Sequence, residues 1–186
     1  SEAWRGTLKL ERSTLFSQTS HFADLMLMFM GSPKTVYALM GTKNHRIEID
    51  DTGVVAVQFQ NGAFGSLNYT TCAAEKNREG SVTLFYTKGT VRIGGEHLNE
   101  LEYFDVPGMD SSQMNVTKPE GNDYGTYKGS ASNHESVFGA IVAHEHKDAT
   151  AADAVRKLVS GAEGVQGVRF MEKAVESALS GKVMEL

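Results

Sequence analysis

Ser17, His21 and Asp24 stand three and four residues apart in the stretch STLFSQTSHFADLMLMFMG, residues 13–31, a spacing that puts all three on one stripe of a helix. An imidazole is the side chain whose ordinary pKa lies nearest neutrality. With polar neighbours to align its ring, it can move a proton. The adjacent stripe, Leu15, Phe22, Leu25, Met26 and Phe29, is apolar and suits a core face. The segment therefore predicts one helix over residues 13–30, buried on one side and flooring a cleft on the other, with His21 as the proton-transfer group. Spacing alone also leaves open a core histidine packed beside Phe22.

Other residues that could carry chemistry fit plainer roles. His144 and His146, two apart on a helix, point in different directions and read as a solvated helix end. His134, inside a capping-box pattern, reads as structural or as lining a cleft. Glu75, Lys76 and Asn77 read as a charged interstrand turn. No strand is followed by G-x-G-x-x-G, and G-x-x-x-x-G-K-[ST] is missing, so the usual cradles for dinucleotides and nucleoside triphosphates are not encoded in this stretch of chain. Gly161, Gly164 and Gly167, three apart in a helical pattern, predict close helix packing instead. No nucleophile elbow supports a hydrolase. Cys72 is the single cysteine, so no disulfide forms within the chain; no zinc-ligand spacing is present, and a reducing cytoplasm is the expected setting.

Composition narrows the class. The 186 residues are 40% hydrophobic and 22% charged, enough for one sizeable core or two small ones at most. A formal net charge of -5, with no basic run, argues against a nucleic-acid partner. The apolar stretch 25–30 is too short to span a bilayer, and no signal sequence opens the chain, so no membrane partner is expected. A first residue that is Ser rather than Met predicts either processing or an excised piece lacking a natural N-terminal part, the second being the reading taken.

The elements that would position the helix follow from periodicity. Residues 4–10 alternate enough to predict an entering strand, and Gly31 followed by Pro33 stops the helix. A strand is expected over 34–42, then a polar turn over 43–51. Val55, Val57 and Phe59 alternate into Asn61-Gly62, which predicts a two-residue hairpin turn with both residues at positive φ, and Leu67, Tyr69 and Thr71 return. Val82, Leu84 and Tyr86, a Lys88-Gly89 turn, Val91 and Ile93, and a strand near 101–106 continue the pattern. These strands predict one large, mostly antiparallel sheet. Its second face, with Ala56, Gln58, Ser66, Asn68 and Thr70, is left open to water or to another subunit.

The polar stretch 107–129 is too long for a routine connection and reads as a functional or disordered loop. Ser132 with Glu135, and Thr150 with Asp153, form capping-box patterns ahead of apolar runs. A last helix places Val165, Val168, Met171, Val175 and Leu179 on one face and is closed by Gly181.

Several stretches in order resemble one family. They are W-R-G-T (Trp4 to Thr7), the helix from Leu15 to Gly31, I-E-I-D-D-T (Ile47 to Thr52), F-Q-N-G-A-F-G (Phe59 to Gly65), K-G-T-V-R-I-G-G (Lys88 to Gly95) and A-V-E-S-A-L-S-G-K (Ala174 to Lys182). Together they resemble the C-terminal domain of Gfo/Idh/MocA oxidoreductases, nearest in look to members acting on UDP-N-acetylglucosaminuronate. The resemblance implies an NAD or NADP cofactor held mainly by an N-terminal Rossmann domain that this chain lacks, and a lysine supplied from there. It implies that His21 is the catalytic histidine, that Ser17 occupies the preceding Asp/Asn position, and that Gln18 and Asp24 match neighbouring site positions. Glu11-Arg12-Ser13-Thr14 stands where the family has a glycine-rich approach.

The sequence therefore predicts an α+β fold with a large open antiparallel sheet and helices on one face, residues 1–186 forming a single substrate-binding and oligomerisation domain. Catalysis is expected from His21, and substrate binding from Ser17, Gln18, Asp24 and His134. The expected substrate is a sugar, nucleotide sugar or inositol-like polyol. The expected partners are the chain's own Rossmann domain and further copies, as a homodimer or tetramer through the open sheet face. The alternative is a non-catalytic self-associating scaffold or sugar-binding module derived from that family.

Overall fold

Period-2 alternation of apolar residues builds the central sheet, as seen in a computed structural model that describes residues 4–75, 79–95, 98–113, 134–155 and 158–186. Strands β1 (Pro33–Gly41), β2 (Thr52–Phe59) and β3 (Phe64–Thr70) pair antiparallel, with Tyr37 opposite Ala56 and Val55 opposite Leu67. Val36, Ala38, Val55, Val57, Phe59, Leu67 and Tyr69 point inward and are buried, whereas Leu39, Val54, Ala56, Ser66 and Asn68 point outward and are exposed. The chain's last strand, β7 (Met184–Glu185), pairs with β1 at Thr35 and Val36, giving the order β3-β2-β1-β7.

The hairpin turn differs from the two-residue loop expected. The connection is Gln60 to Ala63, closed by the Gly62 N–H donating to the Phe59 carbonyl at 3.0 Å, and of Asn61 and Gly62 only the glycine has positive φ, at 88°. One glycine supplies the left-handed residue that a longer loop needs, which frees the Asn61 side chain. Its Nδ2 donates to the Met30 carbonyl at 3.0 Å and its Oδ1 accepts from the Ala63 N–H, so the tip of the hairpin is tied to the end of the preceding helix.

Helices cover the inner face of this sheet. The helix expected over 13–30 is two helices, α1 (Thr14–Ser17) and α2 (Ser20–Met30). Ser13 caps the first, its Oγ accepting from the Leu15 N–H at 3.1 Å. The break falls in the run Ser17-Gln18-Thr19-Ser20, whose short polar side chains compete for backbone groups. The Thr19 hydroxyl bonds back to the Leu15 carbonyl at 3.4 Å, and Thr19 starts α2 without a side-chain cap. Gly31, at φ 85°, stops α2 as expected. Residues 4–10 are a series of turns rather than a strand, because Gly6 takes φ 75° and its N–H is held by the Glu11 carboxylate.

Helix α5 (Gly161–Ser180) is capped at both ends, by a Ser160/Glu163 capping box at its start and left-handed Gly181 at its end. Its buried face is Phe170, Met171, Ala174, Val175 and Ser177, rotated from the expected stripe, since Val165, Val168 and Leu179 are exposed. Ser177 decides this rotation: fully buried, it accepts from the Ala38 N–H on β1 and donates to the Lys182 carbonyl, so its side of the helix must face the sheet. Gly161, Gly164 and Gly167 have open space where a side chain would stand, so the close packing expected there is not seen among the described residues. Leu15, Ala23, Phe59, Phe170 and Ala174 complete the core, and truncating Phe59 or Phe170 to alanine would cost about 3–5 kcal/mol.

The chain divides into two compact units, Ser1–Ala74 with Ser160–Leu186, and Glu75–Val159. The second contains a three-stranded antiparallel sheet, β4 (Val82–Tyr86), β5 (Gly89–Gly94) and β6 (Glu100–Asp105), followed by α3 (His134–Glu145) and the short α4 (Ala152–Val155). The α+β class with antiparallel strands and helices holds, and among the described residues the strands are hydrogen bonded as two sheets of four and three rather than one. The β4–β5 turn is Thr87-Lys88, one residue earlier than expected, since Tyr86 pairs with Gly89. Asp148, rather than Thr150, caps the turn before α4, accepting from the Thr150 N–H. The capping residue Ser132 and most of the loop 107–129 lie outside the described residues. Among the described residues no helix is long and apolar enough to cross a membrane.

Candidate functional site

Five of the six stretches that carry the resemblance lie in the first unit; Lys88 to Gly95 lies in the second. Gly6, in W-R-G-T, accepts at its carbonyl from the Glu48 N–H at 2.8 Å, and the Glu48 carboxylate accepts from the Leu8 N–H at 2.9 Å. Glu11 holds this turn against α1: one carboxylate oxygen accepts from the Gly6 N–H and the other from the Ser17 hydroxyl. The Thr14 hydroxyl bonds to the Asp50 carbonyl, while the Tyr69 phenol, pushed up by burial and by the Asp50 carboxylate, donates to that carboxylate at 2.6 Å. The start of α1 is thus locked to the segment ahead of β2.

Arg12 has a φ of 67°, in the left-handed region that favours glycine, and its guanidinium pairs with Glu172 on α5. A bulky residue therefore occupies a glycine-type conformation where the resemblance has a glycine-rich approach. The strain this implies is of order 1–3 kcal/mol.

Helix α2 presents the candidate group outward. Phe22, Ala23, Met26, Leu27 and Met30 pack on the core, leaving His21, Asp24, Leu25 and Met28 on the opposite side. His21 is exposed yet partly desolvated, which lowers its pKa below 6.5, so the ring is neutral and able to accept a proton near pH 7. Its ring lies 4.6 Å from that of Phe22, tilted by 42°. Among the described residues no hydrogen bond or ion pair fixes the imidazole. Asp24, half-buried, shares its face.

The remaining expected residues are placed as follows. Ser17 ends α1 and turns to Glu11 rather than to His21, so the spacing that put the two on one stripe is broken by the turn at Thr19. Gln18 is exposed and caps α1, its N–H bonded to the Thr14 carbonyl. His134 is the exposed first residue of α3 in the second unit.

A cluster that sequence reasoning missed lies in the first unit. His45, Asp51 and Cys72 bring a ring nitrogen, a carboxylate oxygen and a sulfur within 4.8 Å of one another. Asp51 is fully buried. Burial alone would raise its carboxyl, but the backbone N–H groups of His45, Asn44 and Lys43 outweigh that and hold it well below the usual carboxylate range. No spacing signalled this cluster, because position 72 meets position 51 only through the β2–β3 pairing.

Comparison with known proteins follows this geometry. Residues 1–92 match the family model of the GFO/IDH/MocA C-terminal domain. No curated protein sequence matches the chain. The WlbA dehydrogenase from Bordetella pertussis, solved with NADH and UDP-GlcNAcA, is similar at 27% identity and a TM-score of 0.79 over 100% of this chain and 49% of that one. The WlbA dehydrogenase from Chromobacterium violaceum, solved with the same two ligands, is similar at 28% identity and a TM-score of 0.80 over 99% and 49%. An inositol dehydrogenase homolog from Azotobacter vinelandii, complexed with NAD+, shares the fold at 21% identity and a TM-score of 0.71 over 98% and 51%. The chain spans about half the length of these solved relatives. Residues 1–92 thus match the Gfo/Idh/MocA C-terminal domain in sequence, and the chain shares the fold of such domains along its whole length.

Proposed function

We propose that residues 1–186 form the single substrate-binding and oligomerisation half of an NAD- or NADP-dependent dehydrogenase acting on a sugar, nucleotide sugar or inositol-like polyol. The observation that carries this reading is the outward placement of His21, neutral at pH 7, on a domain whose fold matches nucleotide-sugar dehydrogenases along its full length. In the intact protein a Rossmann domain N-terminal to this chain holds the dinucleotide, since the glycine-rich phosphate turn is missing here. The cofactor, when bound, supplies the acceptor for hydride from the carbinol carbon.

The fit on this side is chemical. A neutral imidazole on an open face is the group a carbinol oxidation needs as base. His21 takes the hydroxyl proton on a ring nitrogen. Asp24 and Gln18 bind neighbouring substrate hydroxyls, Asp24 as an acceptor and Gln18 as donor and acceptor. Ser17 contributes to substrate binding with its lone pairs, its proton being committed to Glu11. The proposed role of His134 as a substrate contact rests on the sequence alone, as does placement in the cytoplasm.

The test is His21→Ala in the intact enzyme, with nicotinamide reduction followed across a panel of sugars and UDP-sugars. Turnover should fall about a hundredfold to ten-thousandfold with the melting temperature nearly unchanged, the usual size of general-base loss. A stable variant with unchanged turnover ends the assignment of His21.

A second reading is favoured by one observation: Tyr37, Leu39, Val54 and Phe64 are exposed on the outer face of the sheet. They support self-association into a dimer or tetramer, either within the enzyme or as a non-catalytic scaffold. Light scattering of Leu39→Glu against the parent chain tests self-association. An intact protein that assembles through this face but reduces no nicotinamide with any sugar would favour the scaffold.

A further inference from the structure

His45, Asp51 and Cys72 come from three segments: the turn after β1, the residue ahead of β2, and the stretch just past β3. The antiparallel register that sets Thr52 against Thr70 brings the last two side by side, and the turn over residues 43–45 folds across them. We propose that these three side chains form a binding site for a divalent cation of the zinc class, with His45 Nδ1, an Asp51 carboxylate oxygen and the Cys72 thiolate as ligands and water as the fourth. The site acts as a clip between the β1–β2 connection and the end of β3.

Two of the three separations match a tetrahedral centre, and the third, from Cys72 Sγ to the Asp51 carboxylate, is within 4.8 Å. A tetrahedral centre with bonds of about 2.0–2.1 Å to nitrogen and oxygen and about 2.3 Å to sulfur has N···O edges of about 3.3 Å and S···N edges of about 3.6 Å. His45 Nδ1 lies 3.2 Å from Asp51 Oδ2, and Cys72 Sγ lies 3.8 Å from His45 Nδ1. The ligand types, one sulfur, one imidazole and one carboxylate, select a borderline cation over calcium or magnesium.

The supporting shell is also built. Asp51 Oδ1 accepts from the Lys43 N–H at 2.7 Å and the Thr52 hydroxyl at 3.2 Å, and Oδ2 accepts from the Asn44 and His45 N–H groups at 2.9 and 3.0 Å. The carboxylate is therefore fixed in orientation before any ion arrives, as metal ligands usually are. The cation takes the place of the proton between Nδ1 and Oδ2, so the carboxylate keeps its backbone partners. His45 is exposed and Cys72 half-exposed, which leaves a path for entry.

The same geometry argues against a nucleophilic cysteine. A Cys–His–Asp relay uses both ring nitrogens, one for the thiol and the other for the carboxylate. Here Nδ1 faces both partners. A cation can sit between three groups that converge on one point, whereas a relay cannot run through a single nitrogen.

The experiment strips the 186-residue chain with a chelator and titrates it with Co2+, followed by displacement with Zn2+. The expected result is one equivalent of cobalt with tetrahedral d–d bands and a thiolate-to-cobalt charge-transfer band, both lost on adding zinc. Zinc should also slow alkylation of Cys72 at least tenfold. Cys72→Ser, at a half-exposed position that leaves the core intact, should remove the charge-transfer band and weaken zinc binding at least tenfold; His45→Gln should weaken it similarly. An apoprotein that loses structure and regains it with zinc also supports the site. A folded apoprotein without the charge-transfer band, zinc binding unchanged in Cys72→Ser, or structure lost on chelation and not regained with zinc overturns it.

Discussion

Replacing Ser177 with alanine tests how α5 is fixed to the sheet. Strand β7 covers β1 only at Thr35 and Val36, so the Ala38 N–H beyond it relies on Ser177 Oγ at 3.0 Å, and the same hydroxyl donates to the Lys182 carbonyl at 2.5 Å. Alanine removes both bonds. Ala38 is fully buried, and stranding its N–H should cost about 1–3 kcal/mol. Lys182 is exposed and its carbonyl can turn to water, so that loss is limited to about 0.5–1.5 kcal/mol. The sum is about 1.5–4.5 kcal/mol.

Ser180, three residues on, supplies the control. Its hydroxyl bonds back to the Glu176 carbonyl at 2.8 Å on the exposed side, and Ser180→Ala should change stability by less than about 0.5 kcal/mol. Urea denaturation followed by circular dichroism should show a lower midpoint at unchanged slope for Ser177→Ala, and almost none for Ser180→Ala. Equal effects of the two substitutions would refute the reasoning.

Three further outcomes are expected. Gly53→Ala should destabilise the chain by about 1–3 kcal/mol or more in the same assay, because the new methyl would stand 2.4 Å from the ring of Tyr69, which its bond to Asp50 keeps from moving aside; a neutral result would mean that the ring is free to shift. Tyr69→Phe removes a hydrogen bond to a carboxylate and should cost about 1.5–3 kcal/mol of unfolding free energy; parent-like stability would make that bond dispensable. The His21 ring protons should titrate below 6.5 by NMR. Since the unfolded chain then binds the proton first, stability that is full above 6.5 is lost as the pH falls through the folded value, and His21→Gln should flatten that loss; a midpoint at or above 6.5 contradicts it.

What could be read from the sequence depended on how local the cause was. The alternation of Val55, Val57 and Phe59 against Leu67 and Tyr69, the stop at Gly31 and the cap at Gly181 are written in neighbouring residues, and the fold follows them. The order of motifs from Trp4 to Lys182 reached the family. Periodicity ran through Thr19 because an apolar pattern carries no record of which hydroxyl bonds back to which carbonyl. The inward face of α5 was missed because a polar residue, Ser177, decides it. The cluster of His45, Asp51 and Cys72 depends on strand register between distant segments, which no local spacing encodes.

The first unit is interrupted in sequence: the chain leaves it at Ala74 and returns at Ser160. The bond from Ala38 to Ser177 spans 139 positions, so the lid over the inner sheet face leaves the ribosome long after the strands it covers. Until then Val36, Ala38, Val55 and Phe59 are a ready-made sticky surface, and among the described elements made by that point α1 and α2 shield it. Closing so long a loop adds little free-energy cost beyond that of a shorter one, but it slows folding. Biosynthesis of this protein thus passes through a half-covered sheet, and quality control meets that species before any substrate does.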